Sequence, residues 1–346
     1  MHSHSQSLQF PFEIPPVGAA PVEVAVGLFW LRLPLPGRLD HVNAWLCDGP
    51  DGWTVIDCGM NSAETQSVWD RTFETTLAAR RVSDILVTHG HVDHVGYLGT
   101  LAKRTGAAVW MSLSEHLTAG MRITEPEERI AEQAETWLTW CGCPPDESET
   151  IIANRIGIRS NFVPLPLQYR RLQTGDSFPA GGTIWEVRAF GGHAPEMITL
   201  FDPDRHLLIA ADQILSHITP PITVHPGEPY GDPLQEFFAS FDTLAQLPAD
   251  TLVLPSHGAP FYGLHERLAQ LRSHHEARLE QVEATLDTPQ TPYAVARMVF
   301  ARAMAGNHAR QALSETLAHL NYLQRRGRVV ADLDDHGVAH FSRQAD

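Results

Sequence analysis

The chain has 346 residues, 43% of them hydrophobic and 19% charged, which is enough for a sizeable core and more than one domain. Its 41 acidic against 25 basic side chains leave a net charge of −16, which repels polyanions at long range and argues against nucleic acid as the main partner. No apolar run reaches the roughly 18–20 residues a membrane span needs. The opening Met1-His2-Ser3-His4-Ser5 lacks the pattern of a secretory signal, so a cytoplasmic protein is expected.

Residues 1–21, rich in proline and polar side chains, read as an extended arm. Strand-like runs follow at 22–33, 41–48 and 52–56, the last leading into Asp57-Cys58-Gly59. A helix is predicted from Asn61, which with Glu64 has capping-box spacing, to about Arg81. A strand at 84–88, a helix at 94–105 and a strand at 107–111 complete a βαβα rhythm. The segment 113–172 departs from it. Ile130, Ala134, Trp137, Leu138 and Cys141 recur at helical spacing, the pattern of a helical insertion or lid. Trp137 either lines a substrate pocket or belongs to the core.

Short apolar runs at 183–190, 198–201, 206–210 and 251–254 restore the β pattern, interrupted by a Pro/Gly-rich loop at 220–233. A helical stripe covers 264–286, and Pro289 and Pro292 mark a boundary. Two helix-like stretches and a glycine-bounded hairpin then make 286–346 a small winged-helix-like unit, leaving 22–285 as the main domain. The four cysteines, Cys47, Cys58, Cys141 and Cys143, have no zinc-ribbon spacing and are expected to be reduced thiols.

The stretch Thr88-His89-Gly90-His91-Val92-Asp93-His94 carries the chemistry. Three imidazoles and a carboxylate directly after a strand suit a borderline metal such as Zn²⁺. His89 and His91 can address one ion, while Asp93 and His94, in the next turn, can face a second. Ions about 3.5–4 Å apart can hold a hydroxide between them and clamp a reacting group. The spacing points to a two-metal hydrolase. Asp57, His89, His193, Asp212 and His257 each follow a predicted strand end, where α/β folds gather their sites.

This set resembles the metallo-β-lactamase superfamily, whose H-x-H-x-D-H signature stands here as His89, His91, Asp93 and His94, with His193, Asp212 and His257 matching the rest of the site. The resemblance implies an αββα sandwich, here with the helical insertion and the C-terminal unit. It implies one metal on His89, His91 and His193, a second on Asp93, His94 and His257, and Asp212 bridging both. Asp57 would orient a ligand from behind. Two divalent ions are expected, zinc first, with iron or manganese accepted by the same donors. Asp93 would carry a proton in catalysis. The sequence departs from many hydrolytic members after the third histidine, where Ala194-Pro195-Glu196 stands.

Arg155, Arg159, Arg170 and Arg171 lie in a stretch without Asp or Glu, a local basic patch beside apolar Phe162. Arginine binds phosphate and carboxylate bidentately. The expected substrate is therefore a small anionic ester or thioester of the acyl-CoA or acylglutathione kind. The C-terminal unit resembles the lactamase-β-like branch, which also contains endoribonucleases. A lactonase or β-lactamase would share the metal site, and a metal-bound sensor is the non-enzyme alternative. A homodimer is allowed, and no membrane partner is expected.

Overall fold

The computed structural model describes residues 7–305 and 308–344; the first six residues of the expected arm, and 306–307 and 345–346 of the tail, lie outside them. Val22–Ala25 (β1), Leu28–Pro34 (β2), His41–Gly49 (β3) and Gly52–Ile56 (β4) form an antiparallel meander. Val82–Leu86 (β5), Ala108–Met111 (β6) and Arg170–Arg171 (β7) extend it in parallel to a seven-stranded sheet. In the second sheet Ser177–Ala180 (β8), Thr183–Phe190 (β9), Met197–Asp202 (β10) and Leu207–Ala211 (β11) are antiparallel. Leu252–Pro255 (β12) lies parallel to β11 at the edge.

Period-two alternation divides the buried side chains of the first sheet between two cores. Trp30, Trp45, Cys47, Ile56 and Leu86 face the second sheet and meet Phe178, Trp185, Val187, Leu200 and Ile209. Leu31, Leu33, Val42, Ala44 and Leu46 face the other way, toward the helices Ala63–Glu74 (α1), Val92–Val95 (α2), Leu98–Thr105 (α3) and Leu113–Thr124 (α4). There they meet Val68, Trp69, Val95, Leu98, Leu101 and Ala119. Trp69 Nε1 also donates to the Cys58 carbonyl at 2.9 Å, pinning the chain as it leaves β4.

The chain continues through Glu127–Trp140 (α5), Pro145–Gly157 (α6), Pro233–Leu244 (α7) and Leu264–Glu283 (α8). It ends with Pro292–Val299 (α9), Ala301–Met304 (α10), Ala309–Arg325 (α11) and the hairpin Val329–Leu333 (β13) with Ala339–Arg343 (β14). The insertion is thus helical through α4, α5 and α6, and the tail ends in the expected hairpin but places three helices before it rather than two. Two compact units result. The first comprises residues up to 124, 158–220 and 243–268; the second comprises 125–157, 221–242 and 269 onward. Among the described residues no helix is long and apolar enough to cross a membrane, and all four cysteines are free and buried.

Four local expectations need correction. The run at 22–33 is a hairpin, because Gly27 takes a left-handed φ of 69° and its N–H is capped by Glu23. The first long helix is capped by Ser62, whose hydroxyl accepts the Thr65 N–H, and it ends at Glu74, where Thr75 leaves helical geometry. The helix expected at 94–105 breaks at Gly96 because the Tyr97 N–H turns to the Gly59 carbonyl at 2.9 Å. The elements β8 and α7 lay in stretches that composition left as loop or unassigned.

Candidate metal centre

Five strand ends deliver the cluster. Asp57 directly follows β4, His89 stands three residues beyond β5, His193 three beyond β9, Asp212 directly after β11 and His257 two beyond β12. The strands β4 and β5 are parallel, and β9, β11 and β12 share one direction, so their carboxyl ends gather on common edges. Asp57 and Ala211 adopt left-handed φ values of 64° and 49°. Such conformations are unfavourable for side chains with a Cβ and persist where surrounding bonds enforce them. Here Asp57 N–H donates to Leu86 O at 2.9 Å, and Ser256 N–H donates to Ala211 O at 3.1 Å.

Two donor groups form. In the first, His89, His91, His193 and Asp212 place one ligand-type atom each within 4.8 Å of the others. His91 Nδ1 lies 2.9 Å from both His89 Nε2 and His193 Nε2, and Asp212 Oδ2 lies 3.2 Å from His193 Nε2. In the second group, Asp93 Oδ2 is 3.6 Å from His94 Nε2 and 3.4 Å from His257 Nε2. Asp212 Oδ1 is 3.4 Å from His257 Nε2, so the two oxygens of one carboxylate address both groups.

Atoms behind the donors set their orientation. His94 Nδ1 donates to Asp57 Oδ2 at 2.8 Å, and Asp57 also accepts the Thr88 N–H at 2.8 Å. His257 Nδ1 donates to the His41 carbonyl at 2.8 Å. Both rings therefore turn Nε2 inward. Asn43 Nδ2 donates to the carbonyls of Pro255 and Gly258, tying β3 to the His257 loop. Neither His41 nor Asn43 carried a sequence signal, since one acts through a main-chain oxygen and the other on main-chain oxygens.

The residues fit a pair of cations. His94 Nε2 and Asp212 Oδ1 are buried without a hydrogen-bond partner. Such orphans cost about 1–3 kcal/mol each unless something between them satisfies them. Burial, then the neighbouring histidines, holds His89 and His91 well below the ordinary imidazole pKa, in the neutral form that ligates metal. Burial opposes charge on His94, but Asp93, Asp57 and Asp212 outweigh it and push the ring well above its ordinary value. His257 is pushed up to about 10, burial again being overcome, chiefly by Asp212. The carboxylates thus demand positive charge at this point, and the nitrogen–oxygen donor set suits zinc, iron or manganese.

The expected substrate residues are dispersed. Arg159 donates to Ile123 O at 2.9 Å, and Phe162 is buried in the helix-facing core. Arg170 and Arg171 are exposed on β7, with the Arg170 guanidinium 5.0 Å from the centre of the Trp110 ring. In the second unit, Arg155 donates to Gln133 Oε1 at 2.8 Å and Trp137 is buried. A third grouping, His275, Glu315 and His319, closes on itself in that unit. His319 Nδ1 donates to the Glu315 carbonyl, its Nε2 lies 3.2 Å from His275 Nδ1, and the Arg278 charge acts on all three, a poor setting for a dication.

A sandwich of two mixed sheets with clustered His and Asp at the strand ends defines a class of metal-dependent hydrolases. The superfamily profile described as metallo-beta-lactamase matches residues 37–257, and that of a metallo-beta-lactamase-like C-terminal domain matches 279–344. The chain belongs to the metallo-beta-lactamase superfamily. A beta-lactamase domain protein from Burkholderia ambifaria is similar in structure, with a TM-score of 0.85 and 33% identity, covering 97% of this chain and 99% of that one. A metallo-beta-lactamase family protein from Thermus thermophilus has a TM-score of 0.79 and 27% identity, covering 93% of this chain and 100% of the other. An uncharacterized protein of Aquifex aeolicus is 27% identical over 178 residues, 51% of this chain and 68% of its own length.

Proposed function

We propose that the protein is a two-ion hydrolase that cleaves an ester or thioester of a small anionic acyl carrier, such as an acyl-CoA or acylglutathione. The observation that carries this reading is the sharing of Asp212 between two donor groups, with its Oδ1 and the facing His94 Nε2 both buried without a hydrogen-bond partner. Two divalent ions, held by His89, His91 and His193 on one side and Asp93, His94 and His257 on the other with Asp212 between, would supply Lewis acidity and water with a pKa near neutrality. Zinc is the expected pair, with iron or manganese as alternatives.

The chain's own groups do the rest. Asp57 and the His41 carbonyl hold the Nδ1 protons of His94 and His257. Asp93 is the most open of the three carboxylates, its side chain 19% exposed against 7% for Asp212 and 2% for Asp57. We assign the Asp93 carboxylate, through the oxygen not turned to His94 and His257, to take a proton from the attacking water and return it to the leaving thiol or alcohol as the acyl bond breaks. Cys58 is no competing nucleophile, since burial, with Asp57 adding to it, pushes its thiol well above the ordinary value. Arg170 and Arg171 lie exposed on the last strand of the parallel run and offer guanidinium groups to an anionic carrier in an otherwise acidic chain.

The test is metal analysis of the purified protein followed by a panel of acyl-CoA, acylglutathione, lactones, a cephalosporin and single-stranded RNA. The reading expects two equivalents of metal and the highest kcat/KM on a thioester. Best turnover of RNA would move the assignment to an endoribonuclease, and best turnover of a lactone or cephalosporin to those hydrolases. A metal-loaded protein inactive on every substrate would favour a sensor.

A further inference from the structure

Three imidazole nitrogens aimed at one point repel one another through their lone pairs, so something outside the donor ring must hold their loops together. That brace comes from α4. Gly90, between His89 and His91, has both main-chain groups taken by side chains of this one helix. Its N–H donates to Glu115 Oε2 at 2.7 Å, and its carbonyl accepts from Arg122 Nη1 at 2.8 Å. The other oxygen of the same carboxylate, Glu115 Oε1, accepts the Glu196 N–H at 2.9 Å, three residues beyond His193. Glu196 returns the bond, its Oε2 accepting the Ser114 N–H at 2.9 Å beside the start of α4.

Glu115 is 1% exposed, and its carboxylate spans the loop of His89 and His91 and the loop of His193. The helix packs hard on the first loop. A Cβ on Gly90 would stand 2.9 Å from the Glu115 carbonyl oxygen, so no larger residue fits there without moving the helix. Charge-assisted bonds from a buried carboxylate to main-chain N–H groups are short and directional, the qualities a brace needs.

We infer that Glu115 and Arg122 are positioning residues that hold the His89–His91 and His193 loops in register and thereby set the affinity of the first metal site. The inference rests on the reading of the cluster as a metal centre. It also gives Glu196 a role as a partner of α4 rather than as an acid facing substrate.

The experiment is a Zn²⁺ titration of the full-length protein against a chromophoric chelator, on the wild type, Glu115→Gln, Arg122→Met and Arg122→Lys, with thermal melts in excess chelator alongside. Glu115→Gln keeps the size but turns an amide NH₂ toward a main-chain donor. Affinity at the first site is expected to fall roughly 10- to 100-fold in Glu115→Gln and about tenfold in Arg122→Met, with the second site unchanged and Arg122→Lys largely restored. The Arg122 variants lie at a less buried position and carry the test if Glu115→Gln does not fold. Wild-type affinity in a folded Arg122→Met or Glu115→Gln would overturn the brace while leaving the metal reading intact. A wild-type protein that binds no Zn²⁺ would overturn both. An equal loss at both sites that tracks a lowered melt in chelator would overturn the brace in favour of a general loss of stability.

Discussion

His94 Nδ1 donates a hydrogen bond of 2.8 Å to Asp57 Oδ2, although 37 residues separate the two. The bond joins the end of β4 to α2 and decides which nitrogen of His94 faces the donor cluster. Asp57→Ala is expected to lower Zn²⁺ affinity by roughly 10- to 100-fold, as losses behind a ligating histidine do. Competition with a chelator measures this, and unchanged affinity in a folded variant would refute the role.

Removing metal has two expected consequences. Dialysis against a chelator should abolish hydrolysis, and Zn²⁺, Mn²⁺ or Fe²⁺ should restore it; full turnover by the chelated protein would contradict the mechanism. Restored metal should also raise the melting temperature, since a ligand at 100 times its Kd stabilises the native state by about 2.7 kcal/mol.

Glu315, on α11, makes a pH-dependent contribution unconnected with the donor cluster. Burial raises its carboxyl from 4.5 to about 7, Arg278 opposing. A group whose pKa is raised by folding contributes stability that is present below the unfolded value and lost as pH rises through the folded one. The wild type should therefore lose stability, relative to Glu315→Gln, between pH 4.5 and somewhat above 7. The difference is expected to level off at a few kcal/mol, on the order of 1.4 per pKa unit. Denaturant melts of both proteins at pH 5, 6, 7 and 8 give the comparison, and parallel curves would disprove it.

Arg170→Ala combined with Arg171→Ala should raise KM for CoA esters by roughly two- to tenfold and leave a small neutral ester nearly unaffected, the modest effect that exposed charges have. Stability should fall by no more than about 1 kcal/mol, because both side chains are exposed and only the contact of Arg170 with Trp110 is lost. Equal KM values for the charged substrate in the two proteins would remove these arginines from the site.

The parts of this protein that the sequence discloses are those written in short spacings. The strand-like run of β3 and the run from His89 to His94 can be read directly, because local geometry decides which side chains neighbour one another. His193, Asp212 and His257 are legible one step further away, through their positions after strand ends. The hairpin at Gly27 and the cap at Ser62 were obscured because neighbouring residues offered equally good local signals.

Glu115, Arg122, His41 and Asn43 could not be found that way. Glu115 stands 25 positions from Gly90 and 81 from Glu196, and all four bond through main-chain atoms that every residue possesses. The kinds of donor, and hence the chemistry, were determined by the sequence alone, because ligand type is a property of side chains. Which nitrogen each ring turns inward, and what holds the loops around it, was decided only by tertiary structure, because direction is set by partners brought from distant segments.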